Sequence, residues 1–250
     1  PVVTMTHLHA AWGLVGWTAL LVAGVAYQVV PMFQITPPYP RWLIRGLAPL
    51  MAVSLAVWSA FLLGGRETAA APASVMLAVG LAGFATTTLY LLTQRRRKIG
   101  DPTLGYWRIS MASLLAGALL WLATLLVPAL AQAPQVQLLL GILLILGFAG
   151  AVINGMLYKI VPFLAWFHLQ AQLFRRAKIP TMKQLLPETR IRRQLWIYLT
   201  ALLLSLAAAV DPSIFTYPAT LALGVTGAWL GVNLLNIWRM YRRALRSSPP

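Results

Sequence analysis

Long apolar runs separated by short basic clusters constrain this chain more than any other feature. Residues 46–65, 109–158 and 194–238 contain neither Lys nor Arg, and the last two are long enough for two bilayer crossings each. A spanning helix needs about 20 apolar residues, since its own backbone must satisfy the hydrogen bonds that hydrocarbon cannot. Of the 250 residues, 60% are hydrophobic and only 10% are charged. A soluble domain carries about 25% charged residues, so a water-soluble core is excluded. The sequence predicts an all-α, polytopic transmembrane helix bundle. Seven spans are expected, roughly 7–32, 43–64, 73–94, 106–130, 136–160 (running on to about 174), 194–210 and 214–238.

The basic residues also give an expected orientation. Arg41 and Arg45 follow the first span, and Arg95, Arg96, Arg97, Lys98 and Arg108 follow the third. Arg175, Arg176, Lys178, Lys183, Arg190, Arg192 and Arg193 follow the fifth, and Arg239, Arg242, Arg243 and Arg246 the seventh. With Lys159 added to the fifth-span cluster, Arg66 alone is left on the opposite side. Lys and Arg collect on the cytoplasmic side of membrane helices. The N-terminus is therefore expected outside and the C-terminus in the cytoplasm, in a multi-pass protein of the bacterial inner membrane.

A net charge of +16 would suggest nucleic acid in a soluble protein. Here its placement points to the lipid bilayer and its anionic headgroups as partner, and no nucleic acid is expected. Residues 1–250 read as a single transmembrane domain, with 175–193 as a basic cytoplasmic linker. Residues 1–6 carry no basic n-region and do not form a signal peptide. An outside N-terminus without one leads to the expectation of further helices ahead of Pro1, the alternative being plain translocation of a short uncharged N-terminal tail. Pro37, Pro38 and Pro40 mark an inner turn, Pro134 and Pro212 outer turns, and Pro128 and Pro162 kinks.

Few residues can carry chemistry. The chain has no cysteine, so disulfides, thiolate metal sites and thiol nucleophiles are absent. Its three histidines are His7, His9 and His168. His7 and His9 open the first span, and two residues of helix separate them by about 200°, so they cannot face one partner. On ideal helical spacing His9 shares a face with Gly13, Gly16, Leu20, Gly24 and Tyr27. That stripe would let a flat macrocycle lie against the backbone while His9 supplies an axial nitrogen. The same small residues are also how membrane helices pack closely. His168 is expected near the cytoplasmic end of the fifth span, most of a bilayer from His9, so one haem cannot take both. As a ligand it would belong to a second site; as an interfacial residue it would sit beside Lys159 and Trp166 in an aromatic belt.

Lys159 interrupts an apolar run, where it can snorkel to the headgroups or balance an anion such as a haem propionate. Met32 is a possible soft ligand for copper, or simply packing. Glu67, Asp101, Glu188 and Asp211 all fall at loops, which argues against a carboxylate proton relay. Serine–histidine–carboxylate sites, phosphate loops and helical zinc motifs are missing.

Two segments resemble a known group. His9-Ala10-Ala11-Trp12-Gly13-Leu14-Val15-Gly16-Trp17, running on to Gly24-Val25-Ala26-Tyr27-Gln28-Val29-Val30-Pro31-Met32, resembles a pattern of bacterial membrane proteins. These are related to haem–copper oxidase subunit I and to the haem- and copper-containing nitric-oxide-response (NnrS-type) family. Met156-Leu157-Tyr158-Lys159-Ile160-Val161-Pro162-Phe163-Leu164-Ala165-Trp166-Phe167-His168 looks like a later helix of that group. The resemblance implies haem b held by histidine, with electron transfer or chemistry on NO or O2. The chain departs from the pattern in lacking a three-histidine copper cluster and a histidine pair on a late helix. An oxidoreductase-like role is thus expected without a complete binuclear centre. Two readings stay open. One is a haem-binding redox or gas-response protein with a redox partner. The other is a cofactor-free transporter, or an assembly or scaffold subunit of a larger membrane complex.

Overall fold

Seven helices long and apolar enough to cross a membrane follow one another in the computed structural model, which describes residues 2–96, 100–173 and 179–246. In chain order the helices are α1 (Val2–Gln34), α2 (Arg41–Leu63), α3 (Glu67–Thr93), α4 (Pro102–Leu126), the short α5 (Pro128–Gln132), α6 (Pro134–Leu173), the single-turn α7 (Met182–Leu185), α8 (Glu188–Val210) and α9 (Pro212–Arg246). No strand occurs among the described residues. By length and composition these helices make the chain a multi-pass membrane protein, as the spacing of its charges predicts.

The helix starts account for the acidic residues. Glu67 and Glu188 are the first residues of α3 and α8, and Asp101 and Asp211 stand just ahead of α4 and α9. Asp101 Oδ1 accepts from Thr103 N (3.0 Å) and Thr103 Oγ1 (2.8 Å), and Asp211 Oδ1 accepts from Ser213 N at 3.1 Å. A helix N-terminus presents unpaired N–H groups and the positive end of the macrodipole, and a carboxylate answers both. The Ser213 hydroxyl is the main reason that the Asp211 carboxyl is held below the usual range.

The expected linker at 175–193 is shorter than its charge suggests. Arg175, Arg176 and Lys178, like Arg97 and Lys98, lie outside the described residues. Thr181 caps α7 in a reciprocal capping box with Gln184. α8 then begins at Glu188, so Arg190, Arg192 and Arg193 ride on its first turns. The reason is that Ile191 and Gln194 already turn inward there, in helical register with Tyr198, Ala201 and Leu202. Polarity on the outward face hid the helix start.

Contacts divide the chain into two compact units, residues 1–99 with 108–150, and residues 100–107 with 151–250. In the first, α2 packs along α3 through Leu43, Leu47, Met51, Leu55 and Trp58 at helical spacing. Gly80 of α3 makes room for Met51, whose Sδ lies 2.6 Å from where a Cβ would stand. α1 contributes Ala19, Ala23, Ala26 and Val30 to this core. At its C-terminus Ile35 adopts φ 53°, a conformation that costs a β-branched residue. Arg95 Nε donates to Gln34 O (3.1 Å) and Arg96 N to Ile35 O (3.0 Å), so a basic segment closes the negative end of the helix.

Two spans depart from α geometry. Trp12–Ala19 within α1 and Leu143–Gly150 within α6 are π-helical, and these stretches pack against each other. The wider turn misaligns backbone groups, and hydroxyls take them up. Thr18 Oγ1 donates to Gly13 O (2.8 Å), and Ser110 Oγ of α4 donates to Phe148 O (2.8 Å).

In the second unit α8 and α9 form an antiparallel pair turned at Asp211, with α6, α7 and the first turns of α4 against them.

Candidate functional site

The first span presents two faces. His9, Gly13, Trp17, Leu21, Gly24, Gln28 and Met32 are exposed, each three or four residues from the next. A Cβ at Gly13 or Gly24 would meet nothing within 4 Å, so the backbone there is open. Gly16 and Tyr27 do not belong to this face. A Cβ at Gly16 would stand 2.9 Å from Leu55 Cδ2 and 3.2 Å from the Trp12 ring. Trp12 Nε1 donates to Ser59 Oγ (3.1 Å), which donates to Leu55 O (2.7 Å), pinning α1 to α2 at that point. Tyr27 donates its hydroxyl to Leu43 O (3.4 Å), and its ring meets Tyr39 at 5.1 Å and Phe84 at 6.4 Å. The π-helical stretch between His9 and Leu20 rotates the residues that follow it. For that reason a stripe drawn at uniform spacing divides between an open face and a packed one.

His7 is exposed on the other side of the same helix end. Met32 shares the open face with His9, but 23 residues of helix put it roughly 30 Å away, beyond sharing a metal. His168 lies exposed near the end of α6, in the second unit, with its ring 6.5 Å from Phe167. Among the described residues no three His, Asp or Glu side chains gather closely enough to hold a metal ion. A haem held here would find one axial nitrogen, from His9, on an open face where Trp12 and Trp17 are also exposed. These residues fit a single-histidine site and supply no second ligand beside it.

Lys159 does not stand alone in its span. Its Nζ forms an ion pair with Asp101 Oδ2 at 2.5 Å, so it is no spare counter-charge for a propionate. Burial pushes the Asp101 carboxyl upward, but the bond and charge from Lys159, with the two Thr103 bonds, outweigh it and hold the group below its ordinary range.

Beside this pair the second unit contains a polar seam of residues that the charge pattern does not single out. Asn154 and Tyr158 on α6, Gln194 and Tyr198 on α8, and Thr226 and Asn233 on α9 recur at intervals of one or two helical turns. All but Asn154 are buried. Gln194 Nε2 donates to Asn154 Oδ1 (3.4 Å) and Thr226 O (3.5 Å), and Asn233 Nδ2 donates to Tyr158 Oη (3.0 Å). Tyr106 of α4 packs its ring against Tyr198 (5.6 Å) and Tyr158 (6.1 Å). Gly155 admits it, since a Cβ there would stand 2.7 Å from Tyr106 Cβ.

Tyr106 Oη, Gln194 Oε1, Thr226 Oγ1 and Trp229 Nε1 are buried with no protein partner. Such a group costs about 1–3 kcal/mol when left dry, so these four atoms are places where the seam would gain from a further hydrogen-bonding partner. It holds no carboxylate, histidine or lysine beyond the Lys159–Asp101 pair at its edge. The overlooked signal was the helical spacing of uncharged polar residues inside apolar spans.

No protein-family model matches the chain, and neither a curated protein nor a solved structure does.

Proposed function

We propose that this chain is an integral membrane protein of the haem-binding redox or gas-response kind, with His9 as the leading axial ligand and His7 next. The observation that carries the reading is the setting of His9. Its side chain is not used by the fold, and the backbone at Gly13, one turn on, is open on the same apolar face. The resemblance of residues 9–32 and 156–168 to the oxidase-related and NnrS-type proteins supports it. A bound haem b would supply one-electron chemistry and a position for a diatomic gas. The chain's own part would be to orient the His9 imidazole and to keep water from one side of the ring with Trp12 and Trp17. Copper at Met32 or His168 would be a separate, weaker site.

The positive-inside asymmetry supports a cytoplasmic C-terminus, with His9 near the outer surface of a bacterial inner membrane. A redox partner or a further membrane subunit would then cover the open face. Optical spectroscopy of the haem-replete protein and of His9→Ala tests the proposal.

A second reading has its own support. The buried polar seam around Gln194 and Asn233 is what a cofactor-free transporter of small neutral solutes would need, because polar side chains inside a bundle mark solute paths. On that reading, replacing all three histidines leaves the protein unchanged, while Gln194→Leu alters flux.

A further inference from the structure

One exposed face of α9 changes character along its length. Val225, Val232 and Leu235 are followed at the same helical spacing by Arg239, Arg242 and Arg246, and all six are exposed. Arg243 adds a fourth guanidinium, so that the four stand at i, i+3, i+4 and i+7 of the last two turns. Like charges at this spacing repel one another. None of the four is paired with a carboxylate among the described residues. Among the described residues the ion pairs are Lys159–Asp101 and Lys183–Glu188, and neither involves α9. Asp211, the acid nearest to α9 in sequence, caps its opposite end.

The arginines are also organised. The Arg242 guanidinium lies over the Trp238 ring, 4.9 Å from its centroid, so one of the four is held in place by a flat apolar surface. Trp238, Arg239, Arg242, Arg243 and Arg246 line a shallow cleft of about 200 Å³. A second, larger cleft opens between Met240 and Ile179, Pro180 and Gln184, and its wall is mainly apolar.

We propose that this end of α9 is a binding site for the phosphate of an anionic phospholipid. Planar guanidinium groups bind phosphate oxygens in pairs. What selects a lipid over free phosphate is continuity, because the apolar residues 225, 232 and 235 extend the arginine row in the direction that acyl chains would take. The inference is independent of haem binding, and it holds in either orientation of the chain.

The full chain is purified, delipidated and titrated separately with phosphatidylglycerol, phosphatidylcholine and inorganic phosphate, with bound lipid counted by native mass spectrometry. Phosphatidylglycerol is expected to bind in preference to phosphatidylcholine. Arg242→Gln weakens this by about fivefold, the contribution of one basic residue at an anionic surface, and R239Q/R242Q/R243Q/R246Q removes the preference. Trp238→Leu keeps every charge and weakens binding by about two- to fivefold through loss of the stacked arginine. R41Q/R45Q leaves the preference intact. These side chains are exposed, so unchanged helical content and melting temperature show that each variant is folded. Equal binding of the two lipids overturns the proposal, as does a quadruple variant that retains the preference. Inorganic phosphate that displaces the lipid completely assigns the site to phosphate alone and overturns the lipid assignment.

Discussion

Asn233 donates its amide hydrogen to the hydroxyl of Tyr158 over 3.0 Å, joining α9 to α6 through two side chains that are both buried within spans. Interhelical bonds of this kind are worth about 0.6 kcal/mol on average in membranes, and up to about 1.7 kcal/mol. Asn233→Leu removes the donor and leaves the Tyr158 hydroxyl buried without it, so the single variant is expected to lose about 1–2 kcal/mol. Adding Tyr158→Phe should recover part of that loss, since no polar group is then stranded. A double-mutant cycle in a reversible membrane-protein unfolding assay measures the coupling; strictly additive effects would show that the contact contributes nothing.

The Lys159–Asp101 pair makes stability depend on pH in a defined direction. Asp101 has a folded-state pKa below its unfolded value. Its contribution is therefore fully present above the ordinary carboxylate pKa of about 3.9 and is lost as pH falls through the lower folded value. Asp101→Asn should cost about 2 kcal/mol at neutral pH and abolish this part of the acid dependence. Lys159→Met should destabilise the protein at neutral pH, because a half-buried carboxylate then lacks its cation, and the loss should shrink as acid protonates Asp101. An acid-unfolding curve unmoved by either change would contradict the assignment.

Two glycines predict opposite outcomes. At Gly155 a Cβ would meet Tyr106 Cβ at 2.7 Å and Cγ at 3.3 Å, the fixed base of a buried ring. Gly155→Ala should destabilise by about 1–3 kcal/mol. At Gly83, inside α3, a Cβ would meet nothing within 4 Å. Gly83→Ala should stabilise by about 0.5–1 kcal/mol through helix propensity. Melting temperatures of the two variants, measured side by side in one detergent, should move apart.

How much of this was legible in the sequence varies with the physics behind each feature. The seven spans were, because lengths without Lys or Arg, such as 109–158, are dictated by bilayer thickness. The start of α8 at Glu188 was not, since three arginines on its outward face looked like a linker. The π-helical stretches left no mark in composition; Gly13 and Gly16 fit an α-helix equally well. That local widening parted Gly16 and Tyr27 from the open face that carries His9 and Gly13. The seam through Asn154, Gln194 and Asn233 leaves no mark in the charge pattern, because these residues carry no charge.

Orientation can be tested cleanly because the chain has no native cysteine. A cysteine at Ser213, at the start of α9, should react with an impermeant maleimide in intact spheroplasts. One at Gln184, in α7, should react only after permeabilisation. The reverse pattern would put His9 at the cytoplasmic surface and remove the charge-based argument for its placement.

The absorption spectrum of the purified, haem-replete protein bears most directly on the proposed function. The account predicts a Soret band with b-type reduced-minus-oxidised features, strongly weakened in His9→Ala and retained in His168→Ala. A colourless preparation, or a Soret band untouched by His9→Ala, would contradict it.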